Sequence, residues 1–418
     1  MLQKSKKKVF FKTFGCRTNI YDTEIMAESL KDFEIAEDEK SADIVVINSC
    51  TVTNSADATA RNYISKVSKL DKKVIFAGCG AISKGKNLFD TDKVFGVLGH
   101  SEKENINELL KSKERFYNIG NLKSVEKNIV QNFEGKNRAF IKIQEGCDFK
   151  CSYCIIPQVR GLARSQDEKK ILRQVKILAS NGYGEFILTG TNIGSYGKDK
   201  GTTLGRLLKN ISKIRGVKRI RLGSIEPVQI DKEFQEILDE SWLERHLHIA
   251  LQHTDADMLK IMKRRNTYKK DRELLEFISQ KGFALGTDFI VGHPGETKER
   301  FENGFEKLKA LPLTHIHCFT YSKRDHTPSS AMKDQINGNI AKQRHKQIVD
   351  LIEKKNYNFR KSIKKELVVL IEEFKNGFFT GYDQFYNKIY IKSDKDIDKE
   401  WITIKNFEAR GDANYAEF

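Results

Sequence analysis

Residues 145–154 read EGCDFKCSYC, and the spacing of Cys147, Cys151 and Cys154 decides how the rest of the chain is read. Three thiolates within eight residues can hold three corners of a cubane iron–sulfur cluster. A cluster ligated wholly by protein takes four cysteines, and no fourth lies nearby. One iron is then left for an external ligand, and an open metal position marks catalysis rather than a structural role. Zinc and plain core packing are the alternatives. Zinc knuckles come as two cysteine pairs or as cysteine with histidine, and no histidine lies between His100 and His246. Free cysteines are commonly buried, yet core packing gives no reason for a CxxxCxxC register.

Just upstream, AFIKIQ (139–144) has a strand pattern. Five more follow: EFILTG (185–190), RIRLGSI (219–225), HLHIAL (246–251), ALGTDFIVG (284–292) and HIHCFTY (315–321). Helical patterns separate them. In the clearest, SQDEKKILRQVKILASNGYG (165–184), Ser165 and Glu168 form a capping-box pattern and Gly182 is a natural C-cap. Six βα repeats predict a partial (β/α) barrel, whose active residues lie at the C-terminal ends of its strands. Cys147 follows the first strand, as that rule requires.

Working back toward the N-terminus, KKVFFKTFGC (7–16), ADIVVINSC (42–50) and KKVIFAGC (72–79) each place an apolar run before a cysteine. DTEIMAESLKDF (22–33) and ADATARNYISKVSKL (56–70) read as the helices between them. This is βαβ logic and predicts a parallel sheet. Cys16, Cys50 and Cys79 then lie just past three strand ends, on the edge where open α/β sheets bind ligands. A second three-cysteine cluster is the natural expectation. The polar stretch NLKSVEKNIVQNFEGKN (121–137) reads as a linker.

Beyond the barrel, IAKQRHKQIVDLIEKKNYNFRKSI (340–363) is helix-like. KKELVVLIEEF, FFTGYD, NKIYIKS and EWITIKNFEAR then read as strands divided by turns such as Asn376-Gly377. They predict a small all-β domain of the barrel type. The expected fold class is α/β. It has an N-terminal open parallel sheet domain over 1–120, a central partial barrel over 133–355, and a C-terminal all-β domain over 356–418.

The chain has 418 residues and a net charge of +17. That balance is a footprint of polyanion binding. No run of about 18 apolar residues is present, so no membrane span or membrane partner is expected. The basic N-terminus lacks a signal-peptide pattern, and its cysteines are clustered rather than dispersed, which points to a reducing cytoplasm.

CxxxCxxC with Tyr153 before the last cysteine resembles the radical S-adenosylmethionine (SAM) signature. In that family the open iron takes the amino and carboxylate groups of SAM, and reductive cleavage yields a 5′-deoxyadenosyl radical. The three-part order is similar to that of the methylthiotransferases, which carry an N-terminal cluster domain, a radical SAM barrel and a TRAM domain. GCRTNIYDTE, NSCTVTN, AGCG, GCDFKCSYCIIPQVRG, LTGTNIGSYG, SIEP, TDFIVGHPGET and YSKRDHTPSSAM carry this resemblance. NSCTVTNSAD most resembles the branch acting on threonylcarbamoyladenosine in tRNA; relatives acting on isopentenyladenosine or on a ribosomal-protein aspartate usually differ there. His253-Thr254 replaces a common Ser-Gly, and His293 a common Phe.

The resemblance implies two 4Fe–4S clusters, one on Cys147, Cys151 and Cys154 and one on Cys16, Cys50 and Cys79, with two differently used SAM molecules. It implies transfer of a methylthio group to carbon 2 of N6-threonylcarbamoyladenosine in the tRNA anticodon stem-loop. Gly190 and Asn192 resemble the loop that meets the SAM methionyl group. Ser224 and Glu226 suit ribose or amino groups, and Gln252 ends the fourth strand. His246, His248 and Cys318 are expected to pack rather than ligate. For tRNA, Lys260, Lys263, Arg264, Arg265, Lys269 and Lys270 form one candidate surface; Phe378, Phe379, Tyr382, Phe385 and Tyr386 form another, about half of them expected in the core. The electron donor and sulfur source leave no signal in the sequence. Two other readings stand beside this one. One is a methylthiotransferase acting on another tRNA adenosine or a protein side chain; the other is a non-catalytic RNA-binding metalloprotein.

Overall fold

The computed structural model describes residues 6–418; the expectation for residues 1–5 falls outside the described residues. Strands β1 (Lys8–Thr13), β2 (Glu34–Ile35), β3 (Ile44–Ser49), β4 (Lys73–Gly78), β5 (Gly96–Leu98) and β6 (Phe116–Asn118) form one parallel sheet in the order β2-β1-β3-β4-β5-β6. β3 is buried at every position, which is why IVVINS is a continuous run rather than an alternation. The helices start closer to the cysteines than expected. The first spans Arg17–Glu28, directly after Cys16, and another opens on Cys79 itself. The helix Asn54–Val67 begins where Thr53 accepts from the Ala56 amide at 3.2 Å.

The six expected barrel strands are all present. They are β7 (Arg138–Glu145), β9 (Glu185–Gly190), β10 (Arg219–Leu222), β11 (His246–His248), β12 (Ala284–Val291) and β13 (His315–Thr320), with a short β8 (Arg164–Ser165) antiparallel to β7. They pair as β10-β9-β7-β8 and β11-β12-β13, and parallel bridges Ile220–Leu243 and Ile225–Ile249 join the two arcs. Apolar residues such as Ile141, Ile187, Ile220, Leu247 and Leu285 form the core with the helices.

Two local expectations need correction. The helix Glu168–Ser180 is capped by Asp167, whose carboxylate accepts from the Lys170 amide at 3.0 Å. Ser165 belongs to β8, where its hydroxyl accepts from the Gly197 amide at 2.8 Å, so the Ser165–Glu168 capping box does not form. Gly182 does sit just past the helix end, with φ +96°. Residues 121–137 lack regular structure but are no solvated linker. Val130 and Phe133 are buried in the barrel core, and the Glu126 carboxylate is buried 3.0 Å from both Lys103 and Lys142. Burying those two side chains outweighs the segment's polar average.

The helix Gly338–Ser362 leads into β14 (Leu367–Lys375), β15 (Phe378–Tyr382), β16 (Lys388–Lys392), β17 (Trp401–Ile404), β18 (Glu408–Arg410) and β19 (Ala413–Glu417). They make one mixed sheet in the order β17-β14-β15-β16-β19-β18, with β19 parallel to β16. Asn376 (φ 53°) and Gly377 (φ 80°) form the turn between β14 and β15, the two left-handed residues a tight hairpin demands. No helix among the described residues is long and apolar enough to cross a membrane.

Candidate active site

Both cysteine trios stand at strand ends, and glycine makes the exits. Gly146 leaves β7 at φ +75°, and a Cβ there would overlap the Leu162 carbonyl. Gly78 leaves β4 at φ +86°, where a Cβ would overlap the Asn48 amide oxygen. Only glycine takes both the dihedral and the space.

The thiols are met by N–H donors. Cys147 Sγ accepts from the Phe149 amide and from Asn192 Nδ2, both at 3.4 Å. Cys151 Sγ accepts from Arg264 Nη1 at 3.5 Å. In the N-terminal trio, Cys50 accepts from the Val52 amide at 3.4 Å and Cys79 from Arg160 Nε at 3.2 Å, while Cys16 is exposed beside Asn19. Burial pushes the Cys79 and Cys154 thiols up to about 12 and raises those of Cys50 and Cys147. Such thiols ionise only with a cation to take the charge, and a metal does that outright.

The donor sets fit iron–sulfur clusters better than zinc. Four sulfurs on one tetrahedral zinc, at about 2.3 Å each, lie about 3.8 Å apart. Neither trio is among the described groups whose ligand atoms all fall within 4.8 Å of one another. In each trio at least one pair of sulfurs therefore stands farther apart than a single zinc holds them. Hydrogen bonds to sulfur, as seen at five thiol contacts, also suit an anionic cluster and tune its potential. Asn192 lines the cavity beside Cys147 and keeps its buried Oδ1 without a partner among the described residues, leaving an acceptor for a ligand amine.

The first trio opens onto a cavity of about 330 Å³. Tyr153, Asn192, Glu226 and Gln252 line it, with Val52 and Thr53 of the N-terminal segment also in its wall. The second trio opens onto a cavity of about 550 Å³ that includes Gly190, Ser224, Glu226 and Gln252. Val52, Ile156, Thr191, Glu226, Gln252 and Asp288 line both, so the two spaces adjoin. The six cysteines of the trios and Tyr153, Gly190, Asn192, Ser224, Glu226 and Gln252 therefore all border this pair of cavities. Gln252 sits at φ +68°, pinned by its amide to the Asp288 carbonyl and by its carbonyl to the Ile290 amide, both at 2.9 Å. Strain held this firmly is characteristic of functional sites. Ser224 Oγ lies 3.5 Å from Asp288 Oδ2.

Other assignments change. Arg264 is no phosphate ligand: its side chain is 1% exposed, paired with Glu226 and donating to the Ala250 carbonyl at 2.6 Å. Lys260, Lys263, Arg265, Lys269 and Lys270 do remain exposed. Phe379 and Phe385 are core residues of the C-terminal sheet. Tyr386 is not a free stacking surface, since it turns into the larger cavity and stacks on His246 with ring centres 5.3 Å apart. His246 and His248 do more than pack. Both line that cavity, and His248 Nε2 lies 3.1 Å from Asp288 Oδ1. His253 is fully buried, 3.2 Å from Glu296, and His293 hydrogen-bonds Ser329 Oγ at 2.7 Å. Cys318 packs against the barrel core as expected.

Sequence reasoning missed Arg160. From the helix Ile156–Arg160, just after the first trio, it reaches the second trio at Cys79. Its Nη1 lies 2.8 Å from both Asp22 and Glu145, and Nη2 donates to Asn19 Oδ1 at 2.6 Å. Burial alone would raise the Asp22 and Glu145 carboxyls. Lys142 and Arg160 around both, with Lys103 beside Asp22, outweigh that and hold them well below the usual range. Its place in GCDFKCSYCIIPQVRG was the available signal.

Comparison with known proteins adds independent findings. Residues 8–99 match the family described as "Uncharacterized protein family UPF0004", and residues 141–308 match the Radical SAM superfamily. A Helicobacter pylori (strain J99) protein, named provisionally as a methylthiotransferase, is 54% identical over 99% of this chain and 100% of its own length. The Aquifex aeolicus threonylcarbamoyladenosine tRNA methylthiotransferase MtaB is 37% identical over 88% of this chain and 93% of its own. Among solved structures, the radical S-adenosylmethionine methyltransferase TsrM from Kitasatospora setae shares the fold, with a TM-score of 0.60 at 14% identity over 78% of this chain and 77% of that one.

Proposed function

This chain belongs to the radical SAM methylthiotransferase family, and from that premise we propose that it methylthiolates carbon 2 of N6-threonylcarbamoyladenosine in the tRNA anticodon stem-loop. Membership brings a 4Fe–4S cluster and SAM. We assign Cys147, Cys151 and Cys154 to that cluster, and Cys16, Cys50 and Cys79 to a second one. The observation that carries this reading is the opening of both trios onto adjoining cavities that share wall residues, with Arg160 touching the second trio from the helix that follows the first. When bound, the cofactors supply one-electron chemistry strong enough to replace an unactivated aromatic C–H bond, together with the sulfur and methyl group.

The chain's own residues position and shield. Asn192 and Arg264 donate to the thiols of the first trio, and Arg264 also fixes the Glu226 carboxylate that lines both spaces. Gln252, locked by its backbone, holds the floor where the cavities meet. Val52, Ile156 and Phe319 give the smaller cavity an apolar rim beside the first trio. The exposed cations Lys260, Lys263, Arg265, Lys269 and Lys270 offer phosphate contacts close to the strand ends.

Nucleoside analysis of tRNA tests the substrate. Cells without this protein are expected to lose 2-methylthio-N6-threonylcarbamoyladenosine and accumulate its precursor; an unchanged profile defeats the reading. The roles of the trios are tested separately. Cys50→Ala is expected to retain some 5′-deoxyadenosine formation while methylthio product disappears. Product from that variant would show that the N-terminal trio is not the sulfur site.

A further inference from the structure

Four arginines line the two cavities: Arg17, Arg160, Arg221 and Arg264. Three of them answer to carboxylates. Arg160 pairs with Asp22 and Glu145, Arg221 with Glu185 and Glu244, and Arg264 with Glu226. Arg17 pairs with no carboxylate among the described residues. Its guanidinium donates from Nη2 to Tyr386 Oη at 2.7 Å and lies 5.8 Å from the centre of that ring. A guanidinium carries five donors in a rigid fork matched to carboxylate and phosphate. A half-buried one facing a cavity favours an anion.

The mount of this arginine is stiff. Tyr386 holds φ +66°, an uncommon backbone state for a bulky residue. It is wedged between Tyr382, with ring centres 4.9 Å apart, and His246, and the Arg221 guanidinium lies 5.1 Å from its ring centre. Three parts of the chain thus meet here: the helix after Cys16, the barrel lumen and the C-terminal sheet. Beside Arg17, the buried hydroxyls of Thr18 and Thr189 lie 3.4 Å apart on the same cavity. The space, about 550 Å³, is of a size that takes a nucleoside.

We propose that Arg17, held by Tyr386, receives the carboxylate of the substrate's threonyl group and so separates acid-bearing N6 substituents from apolar ones such as isopentenyl. The inference rests on the nucleoside reading above. Carbon 6, which bears N6, and carbon 2 flank the same ring nitrogen of adenine, so a group on N6 must lie close to the sulfur site. Arg17 directly follows Cys16. A bidentate Arg–carboxylate pair gives both affinity and orientation. An RNA phosphate is the other anion available, but Arg17 shares its cavity with Cys50, Cys79 and Thr189, beside the trio to which the reacting base must be presented, which favours the substrate's own acid group.

The test compares binding of two anticodon stem-loop RNAs, one bearing threonylcarbamoyladenosine and one bearing its methyl ester. Wild-type protein is expected to favour the acid by about tenfold or more, the range of a charge-assisted pair. In Arg17→Gln the ratio should fall to near one. Tyr386→Phe, which keeps the ring but frees the guanidinium, should give an intermediate ratio. Because both RNAs meet the same variant, partial misfolding cancels. A ratio in Arg17→Gln equal to that of wild type overturns the inference, as does equal weakening toward acid and ester, which would mean a phosphate contact. Turnover by wild type is scored separately. If the acid-bearing RNA is never methylthiolated, the nucleoside reading falls and takes this inference with it; if it is methylthiolated and the ratio does not move, only Arg17 is misassigned.

Discussion

Cys151→Ala is expected to end 5′-deoxyadenosine formation from SAM and to lower bound iron from about eight to about four atoms per chain after anaerobic reconstitution. Two thiols cannot hold a four-iron body that already leaves one corner open. No substitute is within reach: of the seven cysteines, only Cys318 lies outside the trios, and it borders neither cavity. The substitution also strips Arg264 of its sulfur partner while leaving it against Glu226. The rest of the wall then stays in place, and the loss is specific to the metal. Cys318→Ala is the matched control and should keep both iron and cleavage. Deoxyadenosine formation by Cys151→Ala at even a tenth of the wild-type rate would remove this trio from the radical chemistry.

The elements that carry the two trios and the cavity walls were legible because their patterns are local. β3 is a run buried on both faces, and HLH and HIH alternate with period two, so His246, His248 and His317 open onto the cavity while Leu247 enters the core. Glycine before Cys79 and Cys147 marks the turns that lift those thiols off their strands. What was not legible depends on distance in the chain. Arg160 meets Asp22 from 138 residues away, and no periodicity connects the two. Arg264 stood in a run of cations that reads as a solvated face; charge alone does not say which member turns inward to Glu226. Val130 and Phe133 were hidden in a segment in which twelve of seventeen residues are polar or glycine. Tyr386 was read with its neighbours as one aromatic group, although it stacks on His246 in the cavity while Phe379 and Phe385 enter the sheet core.

Arg160→Met is expected to destabilise the protein by about 3 kcal/mol, near the lower end for breaking a buried ion pair, and to cut methylthio product by at least tenfold. The stability cost arises because Asp22 and Glu145 are buried carboxylates that share this one guanidinium at 2.8 Å. Lys142 still reaches both, at 2.7 and 2.8 Å, and Lys103 reaches Asp22 at 3.0 Å, which keeps the penalty from running higher. The catalytic loss has a separate cause. Nε loses its hydrogen bond to Cys79, so that thiol keeps its burial and loses its nearest cation. Arg160→Lys discriminates between the two effects. A lysine restores the charge between Asp22 and Glu145 but lacks the fork that reaches Asn19 and Cys79 at once. It should recover most of the urea midpoint and little of the product. If Arg160→Lys instead recovers product in proportion to stability, Arg160 is a structural ion pair only. If Arg160→Met matches wild type in both measurements, the buried network does not couple the two trios.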